Sequence, residues 1–153
     1  KKKSKYVAVI VKNDESTLEK IKDLPFDYYQ MYDCSPEEIF KIKEKYNKKI
    51  IAALTIENNE DVRKYKDYEN ISEIILFDSK GYEKSMSFDH NLLDEVEDNI
   101  EKMIAGNIKI EDVTDFKNKN YILDVSGSLE SSKGVKDINK IDKFLNTVHN
   151  INT

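Results

Sequence analysis

Two aspartates at apolar runs and a pair of glycine-containing loops are the parts of this chain best suited to chemistry. Asp78 closes the run Ile74-Ile75-Leu76-Phe77 and precedes Ser79-Lys80. At the end of a parallel strand a carboxylate points into the crevice where such sheets bind ligands. Partial burial there raises its pKa toward values useful for general acid–base work. The alternative is an aspartate that only caps a loop. Asp124 sits inside the last apolar run, in Leu123-Asp124-Val125. Flanked by apolar residues it needs internal partners, so it is either a structural hydrogen-bonding group or a wall of a site.

All four glycines, Gly81, Gly106, Gly127 and Gly134, lie in the second half of the chain. Ala105-Gly106-Asn107 ends one apolar run and Val125-Ser126-Gly127-Ser128 ends the next. Either glycine alone can be a simple turn residue. As a pair they match the loops after the final two strands of βα barrels, where backbone N–H groups cradle a phosphate and glycine permits close approach. The hydroxyls of Ser126 and Ser128 add donors. Other candidates are weaker. His90 and His149 lack Cys or carboxylate neighbours at ligand spacing, so no metal site is indicated. Cys34, the single cysteine, reads as a surface thiol and cannot form an internal disulfide. Neither a Walker loop nor a dinucleotide fingerprint occurs, and no cofactor is called for.

Positioning such residues requires a regular frame, and the pattern supplies one. Short β-branched runs at Tyr6–Val11, Tyr28–Tyr32, Ile50–Ile56, Glu73–Phe77, Lys102–Ala105 and Tyr121–Val125 alternate with segments of helical spacing. Several runs are apolar on both sides of the pleat, as buried parallel strands are. Ser35-Pro36-Glu37-Glu38 is a helix start with N-cap, first-turn proline and capping-box glutamate, followed by Ile39, Phe40 and Ile42. A last helix from about Asp137 carries Ile138, Ile141, Phe144, Leu145 and Val148 as one stripe toward a sheet. The chain has 153 residues, 39% of them hydrophobic, enough for one domain over residues 1–153. Charged residues are 36% with a net charge of −5, which lacks the basic excess of a nucleic-acid binder. No long apolar run or signal-peptide pattern occurs, and the expectation is a soluble cytoplasmic protein without membrane contact.

These residues resemble a known family, the phosphoribosylanthranilate isomerases of tryptophan biosynthesis. Asp124-Val125-Ser126-Gly127-Ser128-Leu129-Glu130, followed by Gly134-Val135-Lys136-Asp137, is similar to the family's last-strand motif. Ile104-Ala105-Gly106-Asn107-Ile108 with Glu111-Asp112-Val113 resembles its segment after strand seven. Leu76-Phe77-Asp78-Ser79-Lys80 with Ser87-Phe88-Asp89 resembles the pair around strand six, and Val7–Val11 and Gln30-Met31-Tyr32 resemble strands three and four. The resemblance implies an α/β fold of the TIM-type (βα)8 barrel family, here six βα units of a parallel sheet covering strands three to eight. It implies a cofactor-free Amadori rearrangement of a small phosphorylated substrate, N-(5'-phosphoribosyl)anthranilate, to the 1-deoxyribulose phosphate. Asp78 then maps onto the general acid, and Gly106, Asn107, Ser126, Gly127 and Ser128 map onto the phosphate site. Asp124 and Gln30 stand as site walls.

The chain also departs from the family pattern. The family's general base is a strand-one cysteine for which no counterpart stands here; Cys34 maps near strand four. The family's strand-four His-Gly is Tyr32-Asp33, its strand-five lysine is Ala52, its second glycine after strand seven is Asn107, and Gly127-Ser128 inverts its Ser-Gly order. Gly81 to Met86 replaces a glycine-rich loop. Lys1 in place of Met, together with a length short of the roughly 200-residue minimum of such barrels, reads as an incomplete chain. Six strands leave two open sheet edges that invite self-association. The alternative to an isomerase is a non-catalytic barrel fragment or phosphate-binding scaffold. A receiver-like module, with Asn13-Asp14-Glu15 imitating its acidic pair, fits less well because the final strand runs into Ser-Gly-Ser.

Overall fold

The computed structural model describes residues 4–12, 14–79 and 87–151. Six strands form one parallel sheet in chain order: β1 (Val7–Ile10), β2 (Tyr28–Met31), β3 (Lys49–Ile56), β4 (Ile74–Ser79), β5 (Lys102–Ile104) and β6 (Tyr121–Leu123). Each sequential neighbour pairs in parallel, which requires a crossover between every two strands. The crossovers are α1 (Glu15–Ile21), α2 (Pro36–Tyr46), α3 (Asn59–Arg63) with a 3-10 turn at Lys64–Asp67, and, later, 3-10 helices at His90–Glu95 and Ile110–Phe116. After β6 come a 3-10 turn (Gly127–Leu129), a small antiparallel hairpin of β7 (Glu130–Ser132) and β8 (Val135–Lys136), and α4 (Ile138–Ile151). The hairpin is a feature that the apolar pattern does not announce. Gly81 to Met86 and Asn13 lie outside the described residues, so those two readings have no structural counterpart here.

Strand periodicity sorts the core into two faces. Ile50, Ala52, Leu54 and Ile56 of β3 join Tyr29, Met31, Ile75, Phe77 and Ile104 in the cluster that packs against the helices through Leu18, Ile39, Ile42, Val62, Leu93 and Val113. The residues of opposite phase, Ile51, Ala53, Ile74, Leu76 and Ala105, form a second cluster on the inner face with Tyr28, Tyr32, Met103 and Ile122. Both faces of β3 and β4 are therefore apolar and buried, as the continuous runs require. The outer strands are β1 and β6, and on β1 the inward Val9 is 60% exposed.

The capping box at Ser35 forms as its sequence requires: Ser35 Oγ accepts from the Glu38 amide at 3.3 Å, and Glu38 Oε2 accepts from the Ser35 amide at 2.8 Å. Three readings are corrected, two of apolar stripes and one of a thiol. Phe40 is 53% exposed, because it stands one residue from Ile39 and so turns about 100° away from the buried side. On α4 only Phe144 is buried, while Ile138 and Leu145 are 66% and 60% exposed, so the five-residue stripe does not lie whole against the sheet. Cys34 is not a surface thiol: it is buried, and its Sγ donates to the Tyr32 carbonyl at 3.3 Å.

Candidate active site

A cavity of about 930 Å³ opens at the C-terminal ends of the strands, and its wall contains Gln30, Asp78, Gly106, Asn107, Asp124, Ser126, Gly127 and Ser128. Parity explains how residues so far apart in sequence meet. Gln30 and Tyr32 share the inward phase of Tyr28, Asp78 that of Ile74 and Leu76, and Asp124 that of Ile122. Asp124 stands one residue beyond β6 rather than inside it, and its amide still continues the ladder by donating to the Ile104 carbonyl at 2.8 Å.

Asp78 is buried at the end of β4. Its Oδ1 accepts from the Ser79 amide at 2.8 Å and its Oδ2 from the Tyr32 hydroxyl at 2.9 Å. Tyr32 in turn accepts from Gln30 Nε2 at 3.3 Å. Burial pushes the Asp78 carboxyl above the usual carboxylate range, and the bonds from Tyr32 and Ser79 pull it partway back. Burial, then the charge of Asp78, raises Asp124 as well, opposed by a hydrogen bond from Gln30. Two carboxyls with raised pKa in one cavity mark it as a candidate site for proton transfer.

The glycine-loop side of the cavity is built from irregular backbone. Gly106 has φ +97° and a Cβ there would lie 2.6 Å from Ser79 Oγ, so only glycine fits. Asn107 follows at φ +52°, two left-handed residues in succession. A Cβ on Gly127 would meet nothing within 4 Å, which leaves room beside its backbone for a ligand. Ser128 Oγ is buried without a hydrogen-bond partner in the structure. Lys136 Nζ donates to the carbonyl and the hydroxyl of Ser126 at 2.8 and 2.9 Å and pairs with Glu130 at 2.8 Å, which braces this loop. Lys140 and Lys143 of α4 complete the wall and bring positive charge. Sequence reading passed over these lysines and gave Tyr32 no role beyond a departure. The three-residue spacing of Lys140 and Lys143 in the predicted last helix is the available signal, since it sets both on one helical face.

Neither histidine lines this cavity. His90 packs edge-on between Phe88 and Phe116, at 4.8 and 5.1 Å between ring centroids, and burial lowers its pKa. Among the described residues no group of three or more His, Cys, Asp or Glu is placed to hold a metal ion, and no helix is long and apolar enough to cross a membrane.

Comparison with known proteins agrees with this architecture. The family model of N-(5'-phosphoribosyl)anthranilate (PRA) isomerase matches residues 1–147. The chain belongs to the PRA isomerase family. The PRA isomerase of Agrobacterium fabrum is 31% identical over 157 residues, covering 95% of this chain and 71% of that protein. That of Rhizobium johnstonii is 30% identical over 161 residues, covering 98% and 72%. The chain thus spans somewhat under three quarters of the length of these PRA isomerases. Among solved structures, the PRA isomerase of Thermotoga maritima superposes with a TM-score of 0.80 at 25% identity, over 94% of this chain and 72% of that one. A further PRA isomerase structure, in complex with reduced 1-(o-carboxyphenylamino)-1-deoxyribulose 5-phosphate, has the same fold at a TM-score of 0.77 and 23% identity, over 94% and 71%. The six strands described here are accordingly a part of a TIM-type barrel.

Proposed function

We propose that the cavity binds N-(5'-phosphoribosyl)anthranilate and that Asp78 is the general acid of its isomerisation in tryptophan biosynthesis. The observation that carries this reading is the placement of a buried carboxyl, its pKa raised by burial, in one cavity with the two glycine loops, in a chain of this family. The cradle is formed by Gly106, Asn107, Ser126, Gly127 and Ser128, with Lys140 and Lys143 as counter-charge to the phosphate. Anchoring the phosphate at one end of the sugar fixes the ring against Asp78, and a fixed ring is what makes proton transfer efficient.

In the step assigned to these residues, the anthranilate nitrogen forms a double bond to C1' as the bond from C1' to the ring oxygen breaks. The electron pair of that bond goes to the ring oxygen, which takes the proton of Asp78. Opening leaves a protonated imine and an ionised Asp78; transfer of the C2' proton to a base, the part the family gives to its strand-one cysteine, yields the enolamine, which tautomerises to the ketose product. Asp124 and Gln30 border the reacting end of the cavity.

In the full-length enzyme, Asp78→Asn is expected to lower kcat by about 100-fold or more, while calorimetric affinity for reduced 1-(o-carboxyphenylamino)-1-deoxyribulose 5-phosphate is largely kept. Turnover surviving that substitution overturns the assignment. For this chain on its own we also infer self-association through the outer edges of β1 and β6, with exposed Val9 beside the first. Sedimentation across a concentration series tests it, and a monomer throughout overturns it.

A further inference from the structure

The hydrogen bonds around Asp78 run in one direction, and that direction has a consequence for where its proton goes. Gln30 Nε2 can only donate, so the Tyr32 hydroxyl it contacts at 3.3 Å accepts from it. The single proton of Tyr32 is then committed to Asp78 Oδ2, at 2.9 Å. The Ser79 amide occupies Oδ1 at 2.8 Å. Each carboxyl oxygen therefore has one lone pair filled from the protein side, and a proton carried by Asp78 must sit on a remaining lone pair.

We propose that Tyr32, held by Gln30, is a positioning residue for Asp78: it locks the carboxyl so that the acid's own proton faces the cavity and the substrate. The inference rests on the assignment of Asp78 as the acid. Tyr32 suits the task because burial and the neighbouring Asp78 charge raise its own pKa, so it remains a donor throughout the working range. It also moderates the acid. A donor to the ionised form lowers a carboxyl pKa, and so offsets part of the rise that burial imposes on Asp78. The titratable groups turned toward Asp78 are Tyr32, one residue past β2, and Asp124, one residue past β6; β3 faces it with Thr55 and β5 with Met103, followed by Ala105. Farther round the same cavity stand Lys109, Glu111, Glu130, Lys140 and Lys143.

Tyr32→Phe removes the hydroxyl and keeps the ring. In the full-length enzyme it is expected to lower kcat about tenfold through lost alignment with KM little changed. The alkaline limb of the kcat profile should move up by about one pH unit, the equivalent of one hydrogen bond to a charged group. Infrared titration of the carboxyl C=O band, assigned by its loss in Asp78→Asn, reads the same upward shift without turnover, and a melting curve checks the fold. An unmoved titration and an unmoved alkaline limb overturn the proposal, as does a raised KM with kcat intact, which would make Tyr32 a substrate contact. Should Asp78→Asn itself leave turnover intact, it is the acid assignment that fails. Should Asp78→Asn abolish turnover while Tyr32→Phe changes nothing, only the positioning role fails.

Discussion

The two ends of the sheet treat charge in opposite ways. At the N-terminal ends of the strands, partly buried charges are met by opposite charge or by carbonyls. Lys43 Nζ pairs with Glu73 at 2.7 Å while the other Glu73 oxygen takes the Ile50 amide at 2.6 Å, and buried Lys102 donates to the Glu97 carbonyl at 2.9 Å. At the C-terminal ends, Asp78 takes its hydrogen bonds from a phenol and an amide, and the nearest charge felt by Asp124 is another aspartate. Satisfied pairs hold the strand starts together. Carboxyls kept from cations stay protonatable, which costs stability and supplies chemistry. The barrel end that holds the cavity thus differs from the other in electrostatics, and it is the end where this fold places active sites.

The contrast can be broken most directly by exchanging a carboxyl for its amide at each end. Asp78→Asn should lower kcat by about 100-fold or more, whereas Glu73→Gln should leave kcat unchanged in the same steady-state assay. Gly106→Ala tests the irregular backbone of the upper end. A forced left-handed φ and a close approach to Ser79 Oγ should cost about 2 kcal/mol in denaturant unfolding, with loss of analogue binding.

Exchange of a carboxyl for its amide also gives the two ends opposite signs in stability at pH 8. Asp124 has its folded-state pKa raised, so between its unfolded value near 4 and that raised value the folded chain binds more protons than the unfolded one. Its contribution to stability therefore falls as pH rises through this window. Asp124→Asn should stabilise the protein at pH 8 by about 1 kcal/mol and have no such effect near pH 4. Glu73→Gln should destabilise at pH 8 by about 1 kcal/mol, because it weakens the contact with Lys43. A shared sign for the two melting series would erase the contrast. The smallest effect expected is at Lys143. Replacing it by Ala should weaken inorganic phosphate binding about twofold, roughly 0.4 kcal/mol, and more so at low salt.

Most of the frame was legible because strands and caps are local. Six apolar runs with β-branched residues became six strands in order, and the Ser35 capping box formed as written. Where helical stripes misled, the reason was angular. Phe40 and Leu145 adjoin buried residues in sequence, yet each stands about 100° from its neighbour on the helix. The positions of Asp78, Asp124 and the two glycine loops on one cavity were also legible, since strand ends in a parallel sheet share one side.

By itself the sequence determined the order of βα units, the strand ends that carry carboxyl or glycine, and the motifs of the family, because each depends on residues close together in the chain. The tertiary structure alone decided that Tyr32 reaches Asp78 across 46 positions, that α4 brings Lys140 and Lys143 to the glycine loops, and that Cys34 is buried. Those contacts depend on the register between strands and on the packing angle of a helix, and neither quantity is written in any single segment.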